Sequence, residues 1–345
     1  MDFQIALILG QDGITNGAIY ALLALALVLV FAVTRVIFIP QGEFVAYGAL
    51  TLAMIENSIL PGTVWLLIGA GLAVAVLDGV AALRAGRAHK LVSILAINVV
   101  YPLALLGLLW SVPLAEAPMV VRILAALLIV VPLGPMMYRI VYQPIAEATV
   151  LVLLIVSVAA HVAMVGLGLV FFGAEGYRTM PFSEARFDIG QLTVSGQSLW
   201  VIMSSLVLIV VLALFFSRTI YGKALRATAI NRNGARLMGI SPAMAGKLTF
   251  FLAALIGVLS GVLISPITTV YYDTGFLIGL KGFVAAIVGG LASYPIAAAG
   301  ALLVGLLESF SSFWASAYKE VIVFTLVIPV LIWRSLTTRH VEEEE

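Results

Sequence analysis

Few side chains in this sequence can do covalent or acid–base chemistry, and those few are scattered. Cysteine is absent, which removes disulfides, thiolate metal sites and cysteine nucleophiles together. Imidazole is available only from His89, His161 and His340, which lie far apart along the chain. No Ser–His pair stands at helical spacing, no His cluster has metal-ligand spacing, and no paired aspartates fall in an apolar stretch. An intramembrane enzyme is therefore disfavoured and no metal site is expected. A G-x-x-x-x-G-K-[ST] phosphate loop is also missing; the nearest string, GISPAMAGKL, has the wrong spacing and no hydroxyl after Lys247. What remains is binding chemistry, and two groups of residues can supply it. One is polar, in apolar surroundings: Thr15 and Asn16, then Gln41, Gly42 and Glu43. The other is the basic stretch 218–247.

The elements that must position these groups follow from composition. Hydrophobic residues make up 63% of the 345 and charged residues only 10%, against about 25% charged in an ordinary soluble domain. Such a chain is an integral membrane protein. At roughly 20 residues per crossing, the apolar windows give an all-α polytopic protein forming one membrane domain over residues 1–345, with about eleven membrane segments, some short or broken. They fall at 13–34, 44–55, 63–83, 94–110, 121–138, 150–172, 199–216, 248–270, 283–291, 296–310 and 321–333. Pro40 and Gly42 interrupt the pattern before the second segment and predict a broken helix or a tight re-entry. The N-terminus has no basic region and no small-residue cleavage site before its apolar run, so the first helix is expected to stay. No internal repeat is visible.

Basic residues orient the chain. With 218–247 placed inside, Arg35, Arg84, Arg87, Lys90, Arg139, Arg334 and Arg339 also fall inside, while Asp2, Asp12, Glu56, Glu116 and the loop around Arg178 fall outside. This predicts an outside N-terminus and a cytoplasmic C-terminus. Net charge is +1, and the clustering of the cations reports sidedness, not nucleic-acid binding.

An acid at mid-bilayer costs about 2.5 to 3.5 kcal/mol on insertion scales, so Glu43 should face the protein interior. With Thr15, Asn16, Gln41 and Gly42 it forms a candidate lining for a solute route; the alternative is a polar contact that holds the broken helix. Glu308 reads as a helix-packing partner, Asp78 as an ion-pair partner of Arg84 or Lys90, and Asn98 and His161 as packing residues. The glycine pairs 257/261, 275/279 and 289/290 read as close helix approach or breaks.

The basic stretch has its own local signals. Gly222 is expected to break the preceding helix, 223–229 is a run of helix formers, Asn231 caps a second short helix ending at Gly239, and Ser241–Pro242 opens the next membrane helix. Two short helices result, basic on one face (Arg226, Arg232, Arg236) and apolar on the other (Leu225, Leu237, Met238, Ile240). Sidedness alone accounts for the charge. Caps, Gly stops and an apolar face are more than a solvated linker needs.

Several motifs, in order, resemble one family. They are TNGAIYALLALALVLVFAVTRVI at 15–37, QGEFVAYGA at 41–49, YGKALRATAINRNGARLMGIS at 221–241, YYDTGFLIGLKGFVAAIVGGLASYPIAAAGALLVGLLES at 271–309 and YKEVIVFTLVI at 318–328, with RIVYQPI at 139–145 as a further landmark. The chain resembles the permease subunits of ABC importers for branched-chain amino acids, the LivH-like family. Two departures stand out. Three helices occupy 63–138 where the family usually has one, so 84–118 reads as an added crossing and loop. VIFIPQGEF stands where the family more often carries Asn-Phe-Ala-His-Gly-Glu, with Pro40 and Gln41 replacing a small residue and His.

The resemblance implies an ABC importer permease fold in a bacterial inner membrane. It makes 218–247 the cytoplasmic coupling loop, with Gly222, Lys223, Arg226, Ala227, Arg232, Arg236, Gly239 and Ile240 as the residues that meet an ATPase. The implied partners are two ABC ATPase subunits, a second related permease, a periplasmic solute-binding protein and the lipid bilayer. This chain would hold no cofactor; ATP and Mg would bind the ATPases. The implied cargo is a branched-chain amino acid or a related small polar solute, with urea, amides or aromatic carboxylates as the alternative. A secondary transporter or channel is the rival class, and it would not require a capped basic knob.

Overall fold

The computed structural model describes residues 3–189 and 192–337. Asp2 and Arg339, which entered the sidedness count, lie outside the described residues. Apart from a short antiparallel ribbon, β1 (Arg186–Ile189) and β2 (Leu192–Ser195), the regular structure is helical among the described residues. The helices are α1 (Phe3–Thr34), α2 (Gln41–Glu56), α3 (Thr63–Arg84), α4 (Ala88–Ser111), α5 (Met119–Ile145), α6 (Val150–Phe172) and α7 (Gly196–Arg218). Two short ones follow, α8 (Ile220–Ile230) and α9 (Arg232–Leu237), then α10 (Pro242–Ile264), α11 (Thr274–Val288), α12 (Tyr294–Trp314) and α13 (Ser316–Trp333).

Among the described residues, nine of these are long and apolar enough to cross a membrane. The other two that coincide with expected segments, α2 with 16 residues and α11 with 15, are shorter. The stretch expected at 283–291 begins earlier than the apolar pattern suggested. α11 starts at Thr274 and stops at Gly289, where Gly290 (φ 63°) and Leu291 (φ 56°) turn the chain back. Gly275 and Gly279 do not break it; they are the helical positions that let another backbone come close.

Among the helices long enough to cross a membrane two are largely buried, and the shorter α2 is buried with them over 41–55. The most apolar part of α1 is 89% buried and that of α10 is 72% buried, against 11% for α7 and 17% for α6. The peripheral helices present Leu, Val and Trp outward, as lipid-facing surfaces do, while the centre is assembled through small residues that let backbones approach. A Cβ on Gly305 of α12 would stand 2.3 Å from the Gly13 carbonyl oxygen of α1, and one on Gly261 of α10 would stand 2.0 Å from that of Val45 in α2.

The expected interruption at Pro40 is a re-entry. α1 ends at Thr34, Arg35 adopts φ 62°, and an irregular segment leads back into the protein, where Phe38 packs edge-on against Phe250 at 4.7 Å. α2 then begins at Gln41 beside Ala253, halfway along α10. Pro40 stands at its N-cap, where a missing N–H does no harm. The first turns of α2 and α11 lie against each other, since a Cβ on Gly42 would be 2.0 Å from the Gly275 carbonyl oxygen.

Candidate functional site

Two helix beginnings meeting inside the bundle create an unusual environment for charge. Backbone amides of a first turn carry partial positive charge, which favours a carboxylate there. Glu43 lies in the first turn of α2 and is wholly buried. Its Oε1 is 3.0 Å from Nδ1 of His161, which sits in the middle of α6. The imidazole stacks at 4.4 Å on Phe276, in the first turn of α11. Gln41, also wholly buried, donates from Nε2 to the Ala253 carbonyl at 3.0 Å. Glu43 Oε2 and Gln41 Oε1 accept no hydrogen bond from the protein. One helical turn above Glu43, Tyr47 ties α2 to α6 by donating to the Met164 carbonyl at 2.7 Å. The chemistry available is hydrogen bonding by two buried polar side chains, Glu43 and Gln41, each with one oxygen that no protein donor reaches.

Of the route residues read from sequence, the structure brings together Gln41, Gly42 and Glu43. Thr15 and Asn16 lie elsewhere. They line a cavity of about 520 Å³ with Asp12, Glu308 and Ser309, and Thr15 donates to the Gln11 carbonyl at 2.9 Å. His161 had read as a packing residue. The available signal was a lone imidazole in mid-span, a polar group that lipid would not tolerate unpaired. Asp78 pairs with Arg139 and, at 3.5 Å, with Lys247. It does not pair with Arg84 or Lys90: Arg84, in the last turn of α3, and Lys90, in the turn that opens α4, are both exposed.

The basic stretch folds as a knob of two capped helices. Asn231 Oδ1 accepts from the Gly234 amide at 2.8 Å and caps α9. Gly239 takes φ 82°, with the Ile240 amide closing onto the Ala235 carbonyl at 3.0 Å. Ser241 caps α10 through the Met244 amide. Gly222 is not the breaker. Thr219 ends α7 and caps α8, accepting from the Gly222 amide at 2.9 Å, while Gly222 is buried so close to α7 that a Cβ would be 2.2 Å from the Phe215 carbonyl oxygen.

Lys223, Arg226 and Arg236 are exposed, and Ala227 and Ile240 are half-buried. Arg232 turns inward and donates from Nη1 to the Ala146 carbonyl at 3.0 Å, fastening the knob to the end of α5. The expected apolar face divides in two. Leu225 is buried against Leu29 and Val33 of α1 and Ala245 and Leu252 of α10. Leu237 and Met238 instead protrude, 88% and 83% exposed, as does Ile230 at the end of α8, 85% exposed. Leu225 belongs to α8, which packs on α1 and α10, whereas α9 turns Ala235 inward and leaves Leu237 out.

The family described as "Branched-chain amino acid transport system / permease component" matches residues 88–331. "High-affinity branched-chain amino acid transport system permease protein BraD" of Pseudomonas aeruginosa is 26% identical over 291 residues, covering 82% of this chain and 94% of that protein. The high-affinity branched-chain amino acid transport system permease proteins LivH of Salmonella typhimurium and Escherichia coli are each 25% identical over 333 residues, covering 93% of this chain and 91% of theirs. No solved structure matches the chain.

Proposed function

Because the chain belongs to the family of branched-chain amino acid transport permease components, we propose that it is the membrane-spanning subunit of an ATP-driven importer. It is a multi-pass membrane protein, and in this reading it sits in a bacterial inner membrane with the knob in the cytoplasm. It pairs with a second, related permease. Two ATPases below bind ATP and Mg, and a periplasmic binding protein above delivers the solute.

The observation that carries this reading is the apolar tip of the knob. Ile230, Leu237 and Met238 stand clear of the protein on a rigid, capped support, flanked by Arg226 and Arg236. Exposed apolar groups clustered in this way mark an interaction site. The knob is fastened to the moving parts at three places: Leu225 rests on α1 and α10, the Ser241 cap runs straight into α10, and Arg232 holds the end of α5. A push on the tip from an ATPase would pass into both central helices, the kind of rigid-body coupling that alternates access.

Gln41, Glu43 and His161 are the part of the route that recognises solute. Their two open acceptors favour a solute with N–H donors, as an amino-acid ammonium, urea or an amide has, and disfavour a carboxylate with no such donor. Branched-chain amino acids come first on family grounds, and urea and amides are the second reading.

The test is the double substitution Leu237→Asp with Met238→Asp in the assembled complex. Both side chains are exposed, so the permease should insert and keep its thermal stability. ATP hydrolysis stimulated by loaded binding protein and ATP-driven uptake should both fall at least tenfold. Wild-type uptake in this variant would rule out the coupling role.

A further inference from the structure

Helix α4 does not pack flush against its neighbours. Residues Ala96–Val100 form a π-helical turn, wider than an α-turn, and α5 is interrupted around Pro132 and Pro135. Contacts pin α4 at this turn and just after it: the Asn98 carbonyl lies against Gly71 of α3, and the Tyr101 hydroxyl donates to the Leu128 carbonyl of α5 at 2.7 Å. Around this turn the four helices α3, α4, α5 and α10 stand apart and leave a cleft of about 590 Å³. Its walls are apolar side chains such as Ile94, Pro135, Met136 and Phe251, and it opens sideways past Ile97, which is 61% exposed.

One end of the cleft is charged. Asp78 pairs with Arg139 and lies 3.5 Å from Lys247, so one carboxylate meets two cations. The Lys247 side chain keeps 40% of its surface free. Arg84, Arg87 and Lys90, all exposed, lie at the same end, where α3 gives way to α4. No second carboxylate lines the cleft among the described residues.

We propose that this cleft binds one anionic phospholipid, with an acyl chain between the helices and its phosphate at Lys247 and Arg139. An apolar cleft that opens sideways in a membrane protein meets acyl chains, and the excess of cations at one end selects a negative head group over a zwitterionic one. Basic pockets between helices on the positive side of a membrane protein have this recognition chemistry. The site is separate from the Glu43 centre and from the knob tip, and it does not depend on the transport reading.

The experiment measures lipid retention by the full chain, purified in mild detergent and examined by native mass spectrometry. The probes are dioleoyl-phosphatidylglycerol and dioleoyl-phosphatidylcholine, which share their acyl chains. Wild type should retain one phosphatidylglycerol per chain, preferred at least about fivefold, the effect of about one surface cation. Lys247→Gln should bring the preference close to unity. Ala96→Trp, which fills the cleft wall without touching a charge, should abolish retention of the bound lipid. Equal retention of both lipids by wild type, an undiminished preference in Lys247→Gln, or unchanged retention in Ala96→Trp would each overturn the proposal.

Discussion

Two of the clusters of ionisable groups among the membrane helices are built on opposite plans. Lys281 of α11 reaches Glu308 of α12 at 2.5 Å and Glu320 of α13 at 3.2 Å, and Tyr20 of α1 donates to the other Glu308 oxygen at 2.5 Å. Three helices are tied by one ammonium group and a fourth by the Tyr20 hydroxyl, and both oxygens of Glu308 are occupied. Glu43 has one oxygen on His161 and one on nothing, and it stands where two helices begin inside the bundle. A network that shares one ammonium between two carboxylates rigidifies its surroundings, even with Glu320 Oε2 left without a hydrogen bond. An open acceptor carries a desolvation cost that serves no packing purpose. The difference separates a network closed around one ammonium from a centre with an open acceptor, the one the proposed solute route would use.

That contrast can be broken at its strongest point first. Lys281→Met leaves two carboxylates facing each other without their cation, and removing one partner of a buried ion pair costs about 3 to 5 kcal/mol. The variant should be poorly retained in membranes, or melt many degrees lower by thermal-shift assay of the solubilised protein. If it were as stable as wild type, the network's role in holding the helices together would be lost. A smaller effect is expected from Tyr20→Phe, which removes a hydrogen bond to a charged group, about 1.5 to 3 kcal/mol. It should lower the melting temperature while leaving uptake per folded molecule unchanged. A drop in specific uptake without loss of stability would move Tyr20 into the solute route.

Local signals were legible in the sequence and distant partnerships were not. Asn231, Gly239 and Ser241–Pro242 cap and stop helices through neighbours within a few residues, so the knob could be drawn from its own letters. Glu43 was legible because the desolvation of a lone carboxylate needs no knowledge of its partner. His161 stands 118 residues away, and nothing in an apolar helix announces which helix it will face. The start of α11 was hidden for a related reason. Gly275 and Gly279 have the composition of a break, and only the backbone of Gly42 lying against them explains why they are glycine. Asp78 was given the nearest cations in sequence, whereas the tertiary fold supplies Arg139 and Lys247. At the knob, the periodicity of α9 gave an apolar side but no indication that nothing within the chain would cover it.

The most direct test of the account is ATP-driven uptake by the assembled complex carrying Glu43→Gln, in proteoliposomes with loaded binding protein. Gln keeps the shape of Glu and can still hydrogen-bond His161, so the permease should insert, assemble and melt within about 1 kcal/mol of wild type, as volume-conserving replacements usually do. With the knob intact, stimulated ATP hydrolysis should continue while solute uptake falls at least tenfold. Uptake at the wild-type rate would show that Glu43 is one more helix-packing contact and that the solute passes elsewhere.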